Sequence, residues 1–580
     1  MFKKSPKSTQ AELFSGLSQQ VGIKKSNYLD NIAGWHNIFF SEITSRIDES
    51  IFAVLYPSHT GRSNAPIRQL LAMMILKEGQ NWSDEQLFEN SCYNLLVMRA
   101  LGLQNLTDEP PVASTYYDFK SKLRVYYKET GIDLLEQAFN KLTQDQVVRY
   151  EVSGTRVRMD SKLIASNIAK CTRLQLVIKT VQQFYKELKI EEQLDWLNEE
   201  QVKLLQKLYS KAADGHTYPL KNAEKKEMLE SLGCLIQQLL SSCPDKTLSS
   251  YQTLTRLFSN HYELKKTEEN EGGGTLPPVL LRPAKELSGQ TMQSPFDDEA
   301  TYRRKKSGDK KQDVKGYSSN ITENCTPGEL ALILDAQIEN AGTNDDQYLE
   351  PALDTVEKVT GKLPDEIATD GAYNSQNNLD LIAQKQKDIK WYLTAIQGCA
   401  GNFDFAWNEE GQLLVTDRRT GITQTGIKAQ TRTSTQDKAP RYRIKDPDGS
   451  KRYIEQKAIN TYFRRQEILN LPEEIRNIRP NVEATIHQVF YHLNGQQSKY
   501  RGLVAHRHMV FARCFWTNCR RITAKITQKG KWKTVFSRLC HFSYGEVSYR
   551  NTDLVLPNFA LFQKQPFYRQ ILFGYFKELL

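Results

Sequence analysis

Residues 155–169, TRVRMDSKLIASNIA, decide the class of fold. Apolar and polar side chains alternate from Thr155 to Asp160, and Leu163 and Ile164 follow, which is the period of two that a strand requires. This strand interrupts a run of helices. Upstream, residues 65–101 carry Ile67, Leu70, Leu71, Met74 and Leu76 at helical spacing, break at 79–83 and resume as a second helix from Asp84. Pro110-Pro111 closes that unit, and Ser114 or Thr115 is placed to cap a helix through Tyr117, Phe119, Leu123 and Tyr126. Short helices joined by tight turns have the shape of a helix-turn-helix assembly, and equally that of any small bundle.

Downstream of the strand, residues 172–265 return to a long, charged helical pattern, and EGGGT (271–275) with Pro277-Pro278 reads as a linker. No Lys-Ser/Thr follows the glycines, so a phosphate loop is disfavoured. Residues 316–322 and 330–334 are strand-like. A helix at 346–359 ends at Gly361, a short strand from Glu366 runs into a turn at Asp370-Gly371, a helix covers 377–385 and a buried strand 391–396. That order predicts an α/β sheet with both faces covered. Residues 400–460 are polar, with turn pairs Asp446-Pro447 and Asp448-Gly449, and read as a small β insertion. Pro480 then opens a helix striped with Val482, Ile486, Val489, Phe490 and Leu493.

A chain of 580 residues is long enough for about three or four structural units. The mean hydropathy of −0.58 and the lack of an apolar run of about 18 residues predict no membrane span. MFKKSPKSTQ at the start is basic without an apolar stretch behind it, so it does not read as a secretory signal. Nine scattered Cys, an odd number without framework spacing, point to a reducing cytoplasm. The net charge of +10 is unevenly placed. Residues 484–545 contain no Asp or Glu and eleven Lys or Arg, which leaves the rest of the chain at −1. Because this window is also rich in Phe, Trp, Val and Leu it should fold, and a folded basic surface fits nucleic acid. Residues 303–306 with Lys310, Lys311 and Lys315 are a second basic cluster, read as a solvated loop or a further DNA contact.

Three acids stand out by context. Asp160 lies on the first strand, Asp370 ends a later strand with Gly371 free to allow a sharp exit and close approach of a ligand, and Glu483 lies in the first turn of the late helix. Carboxylates at strand ends and a helix start can converge at one edge of a sheet. Three hard oxygen donors suit Mg²⁺ or Mn²⁺, and two such ions can activate an attacking oxygen and stabilise the leaving oxygen of a phosphodiester. Each acid also has a plainer reading, as a turn residue or as a carboxylate favoured by the helix dipole.

Three blocks, VRMDSKLIASNIA (157–169), PDEIATDGAYNS (364–375) and RPNVEATIHQVFYHLNGQQSKYRGLVAH (479–506), resemble the catalytic blocks of bacterial insertion-sequence transposases of the DDE type. Residues 65–104 resemble the helical N-terminal domain that accompanies that core, and SPFDDEATYRRKKSGDKKQDVKGYSSNITENC (294–325) its entry into the second and third strands. The resemblance covers most of residues 60–525. It implies an α/β fold with an RNase H-like catalytic core, a helical N-terminal domain, a helical insertion and a β-rich insertion. The implied organisation is a helical DNA-binding domain at 1–150, the first core strand at 151–171, a helical insertion and linker at 172–290, the core continued at 291–399, the β-rich insertion at 400–470, the glutamate helix and basic region at 471–525, and a basic, aromatic C-terminal segment at 526–580.

By the same resemblance, Asp160, Asp370 and Glu483 are the catalytic acids and hold two Mg²⁺ (or Mn²⁺) ions for DNA cleavage and strand transfer. Arg479, Lys499, Arg501, Arg507, Arg513 and Arg520 are the expected DNA contacts. The partners implied are terminal inverted repeats and target DNA, engaged by a homo-oligomer in the cytoplasm, associated with the nucleoid and with no membrane. Two departures stand out. Relatives often carry Tyr where this chain has Arg476 and Lys where it has Phe490, so the roles of those two side chains are absent or moved, with Lys499 or Arg501 as replacements. A repurposed, inactive transposase that only binds DNA is the alternative. His506, His508, Cys514, Cys519, Cys540 and His541 have no zinc-site spacing and read as core residues.

Overall fold

The N-terminal helices are built round α1 (Ile67–Gln80), whose residues are buried without a break from Leu70 to Glu78. Burial on every side marks a central helix. The computed structural model describes residues 1–5, 16–57, 61–265, 278–307, 310–385, 388–396, 398, 400–429, 440–446, 449–478, 480–493 and 497–528. Asn81, in the left-handed conformation, ends α1, and α2 (Asp84–Tyr93) starts on a reciprocal capping box between Ser83 and Gln86. α3 (Ala113–Thr130) begins earlier than its composition suggests. Its cap is the extended Val112, with no side-chain hydrogen bond, and Ser114 and Thr115 lie inside the first turn. The buried Pro110 and Pro111 hold the chain extended up to that point, so the helix starts immediately after them. α4 (Leu134–Arg149) is capped by Asp133, whose carboxylate accepts the backbone N–H groups of Leu135 and Glu136.

Among the described residues, six strands form one mixed sheet. β1 (Arg156–Ala165) is central. β2 (Thr301–Ser307) and β3 (Lys310–Asn324) form a ribbon, and the later half of β3 runs antiparallel to β1, with Asp160 opposite Ile321. β4 (Ile333–Asn340) pairs antiparallel with that same half of β3. After α5 (Leu349–Thr360), β5 (Glu366–Thr369) runs parallel to β1 and β6 (Lys390–Leu393) parallel to β5. β4 begins three residues later than the apolar run at 330–334 and continues through polar residues. Asp335 is buried there and accepts from Gln337, whose amide also reaches the Tyr348 carbonyl (3.0 Å). Satisfied polar groups make a polar strand tolerable in the interior.

The alternation along β1 sends Val157 and Met159 into a core with Leu349, Leu353 and Val356 of α5. Ile164, on the opposite face, joins Tyr317 and Ile321 under α6 (Pro480–Phe490), through Ile486, Val489 and Phe490. Between β1 and β2 the chain makes helices at Arg173–Ile190, Glu199–Tyr209, Asn222–Ser242 and Ser249–His261 around a core of their own. Between β6 and α6 lies an antiparallel meander from Phe403–Trp407 to Lys451–Glu455, closed by the helix Gln456–Leu469 over Phe405, Leu413 and Ile454. The stretch EGGGT and residues 529–580 lie outside the described residues.

The last described element, α7 (Leu503–Gln528), joins the N-terminal helices to the sheet. Phe515 meets Phe139 edge to face (5.1 Å) and Trp516 packs on Phe39 (5.9 Å). Trp516 also lies flat against Gly79, where any side chain on α1 would overlap the indole. The N-terminal helices, one face of the sheet and α7 therefore share one hydrophobic core. No helix among the described residues is long and apolar enough to cross a membrane.

Candidate active site

Asp160 occupies the middle of the central strand and is only 9% exposed. Side chains two apart on a strand share a face, so Asp160 points with Arg158 and Ile164 towards α6. Its Oδ1 accepts the backbone N–H of Ser161 (2.8 Å). Asp370 follows β5 directly. Arg156 lies opposite Glu366 and Arg158 opposite Ala368, an offset that, carried two residues past the last pair, sets Asp160 level with Asp370 on the neighbouring parallel strand. Tyr373 lies close to both. It is fully buried, donates to Asn320 Oδ1 (2.6 Å), and its phenol is held well above the ordinary range by burial and then by nearby carboxylates that include Asp160 and Asp370.

Gly371 has a different reason from the one its sequence suggested. A Cβ there would run into the carbonyl of Ala395, so the close approach is made by the chain's own backbone after β6. Trp391 Nε1, donating to Thr369 Oγ1 (2.9 Å), fixes the same two strands. Gly371→Ala is expected to destabilise the fold by about 1–3 kcal/mol, the usual cost of overpacking. The readout is the unfolding midpoint, and an unchanged midpoint would show that the Ala395 backbone gives way freely.

Glu483 stands exposed on the first turn of α6, whose opposite side buries Val482, Ile486 and Val489. Among the described residues, no three of His, Cys, Asp and Glu are close enough to share a metal ion. The two aspartates and Glu483 thus do not form a closed ligand set here. They fit a hard divalent cation in donor type, all carboxylate oxygens, and in the register that sets the aspartates side by side.

The expected DNA contacts divide. Lys499, Arg501 and Arg520 are exposed. Lys499 Nζ reaches the Asn81 carbonyl (3.5 Å) and Arg501 Nε donates to the Asn167 carbonyl (2.7 Å). Arg479 lies outside the described residues. Arg507 and Arg513 are interior. Arg507 is 8% exposed and bound to Asp133 (2.8 Å) and Glu136 of the α4 start, while Arg513 donates to Glu78 (3.2 Å) and to the Val489 carbonyl. Burial alone would lower the Arg507 pKa, but the two carboxylates hold it above its ordinary value. Their guanidiniums face acids of the same chain, so the phosphate contacts expected of Arg507 and Arg513 are not available at the surface.

Phe490, at the position where relatives carry Lys, is buried in the shared core. Arg476 turns back to the Leu471 carbonyl (2.8 Å). His506 lies buried between Ser498 Oγ and the Gly502 carbonyl (both 2.7 Å), and burial pushes the imidazole of His508 down to about 4. Cys514 and Cys519 are buried as well, while Cys540 and His541 lie outside the described residues.

One residue that the sequence left unremarked is Glu323 on β3, 0% exposed directly opposite Arg158 of β1. Its carboxylate takes Arg158 Nε (2.6 Å), Arg521 Nη1 (2.7 Å) and Thr485 Oγ1 (2.7 Å). The strand around Glu323 is itself polar (SSNITEN, 318–324), so nothing local marks this acid as buried or says which cation it meets.

Residues 289–519 match the family model described as a transposase DDE domain, and residues 27–122 match the one described as a transposase domain (DUF772). The chain belongs to the DDE transposases of insertion sequences. The DDE match contains Asp370 and Glu483. Asp160 lies upstream, beyond the helices at 173–261, and joins the matched region through the pairing of β1 with β3 and β5. DDE domains of this kind generally depend on divalent metal and imply an RNase H-like core. A cryo-EM structure of the piggyBac transposase synaptic complex with hairpin DNA aligns over 90% of this chain and 87% of its own, at 9% identity and a TM-score of 0.25, and a likeness of that size carries no argument. No curated protein matches significantly.

Proposed function

We propose that this DDE transposase binds the ends of an insertion sequence and performs the phosphodiester hydrolysis and strand transfer that move it, with Asp160, Asp370 and Glu483 as the catalytic carboxylates. The observation that carries the assignment is the register of β1 and β5, which sets two acids from blocks 210 residues apart on adjacent strands. The mixed sheet around β1 is then the RNase H-like core, interrupted by the helical and β-rich insertions. Asp160, Asp370 and Glu483 would hold the divalent ions. When bound, such ions supply Lewis acidity for the attacking and leaving oxygens. The chain's own part is to fix two donors on rigid strands and to bring the third on α6, a helix seated on the same face. Lys499, Arg501, Arg520 and Arg479 hold phosphates and position the strand without reading its sequence.

The test is cleavage of DNA carrying the inverted repeats that flank the coding region, with and without Mg²⁺. Metal-dependent cuts at the repeat ends support the reading. Binding without cutting would favour the repurposed DNA-binding protein, and cutting without regard to end sequence would favour a general nuclease. The charge has its own measurement. Replacing Lys499, Arg501 and Arg520 together by Ala is expected to lower the slope of log affinity against log salt by about 2–3, near 0.9 for each phosphate of duplex DNA left unneutralised. An unchanged slope would move the DNA path elsewhere.

A further inference from the structure

Glu323 is a buried hub joining three elements, and two of them carry proposed catalytic acids. From β1, Arg158 donates to it with Nε (2.6 Å) and to the Ile478 carbonyl, just ahead of α6, with Nη1 (3.1 Å). From α6, Thr485 donates its hydroxyl to the same carboxylate (2.7 Å to Oε2). From α7, Arg521 Nη1 binds Oε2 (2.7 Å) and its Nη2 donates to Thr485 Oγ1. Arg158 is two residues from Asp160 on the same face of β1, and Thr485 is two residues from Glu483. A carboxylate opposite an arginine in an antiparallel ladder is fixed in register, and charged partners with several hydrogen bonds fix direction as well as distance. Apolar contacts of Ile486 and Val489 hold α6 on the sheet but are non-directional. The hub's hydrogen bonds are directional.

We propose that Glu323, with Arg158, Thr485 and Arg521, is a positioning device that sets the height and rotation of α6, and so the place of Glu483 relative to Asp160. Glu323 itself is fully enclosed and bound on both oxygens, which leaves it no part as a metal ligand. The proposal rests on the reading of Asp160 and Glu483 as metal-binding acids. Outer groups that orient ligands commonly change metal affinity by about 10–100-fold when removed.

The experiment measures Mn²⁺ binding by the full-length protein with electron paramagnetic resonance or calorimetry, alongside the thermal unfolding midpoint. Thr485→Val, nearly the same shape, is expected to weaken Mn²⁺ binding by about tenfold with little change in midpoint, and Thr485→Ser to bind as the wild type does. Arg521→Lys keeps the charge but loses the planar bridge from one guanidinium to both Glu323 and Thr485, and should weaken binding similarly even if the Val variant folds poorly. Wild-type Mn²⁺ affinity in Thr485→Val and Arg521→Lys, with binding abolished in Asp160→Asn, would overturn the positioning role while leaving the site in place. Wild-type affinity in Asp160→Asn would overturn the site itself and this proposal with it.

Discussion

Asp160→Asn is expected to lower Mg²⁺-dependent cleavage at the element ends by about 1000-fold or more, equivalent to about 4 kcal/mol of lost transition-state stabilisation. DNA binding should stay close to wild type, because the carboxylate carries no phosphate contact. The substitution is nearly isosteric, and Asp160 accepts a backbone N–H from Ser161 that an amide oxygen can equally accept. Loss of fold is therefore not the expected route to inactivity, and an unchanged unfolding midpoint would establish that. Asp370→Asn and Glu483→Gln should act in the same direction. Glu483 tests the reading most sharply, since it is exposed on α6 and the three acids do not close into one ligand set among the described residues. Undiminished cleavage in any one variant removes that residue from the site, and full activity in all three would place the chemistry elsewhere.

The strands that carry the candidate acids were legible from the period-two alternation at 155–160 and from the short run that ends in the turn at Asp370-Gly371. Their arrangement was not. Alternation says that Asp160 and Arg158 share a face, but not that β5 lies beside β1 in parallel, with the offset that sets Asp370 level with Asp160. Resemblance to a family implied that the two acids share a site, and the offset itself is seen only in the pairing of β1 with β5. Gly371 illustrates the limit: the sequence suggested a sharp exit and the close approach of a ligand, and only the fold showed the Ala395 backbone in that place. The acid-free window misled in a more instructive way. A window counts charges without their partners, and the partners of Arg507, Arg513 and Arg521 lie 374, 435 and 198 residues away. Of the seven described cations in that window, these three are internal charge balance, while Lys499, Arg501 and Arg520 stay exposed. The same blindness hid Glu323, whose three partners come from three separate segments.

Arg507 carries the largest stability effect to be expected from any of these cations. Arg507→Met keeps an apolar stem of similar reach but leaves Asp133, 5% exposed, and Glu136 without their cation. Breaking a buried pair from one side typically costs about 3–5 kcal/mol, because the remaining charge is stranded away from water. Asp133 also caps α4, and the Arg507 guanidinium lies over the rings of Tyr127 and Phe511, so the damage would reach the joint between α4 and α7. The pH dependence has a definite sign. Burial already raises the Glu136 pKa, with Arg507 opposing it, so removing Arg507 raises it further. A carboxylate whose folded pKa lies above its unfolded value favours folding while protonated, and that benefit is lost as pH rises through the folded value. The variant's deficit in unfolding midpoint should therefore be larger at pH 8 than at pH 5. Arg507→Met should leave the salt slope of DNA binding unchanged, in contrast to the exposed Lys499, Arg501 and Arg520. A variant of normal stability with a reduced salt slope would return Arg507 to the DNA surface and refute its place as the internal clamp between α7 and α4.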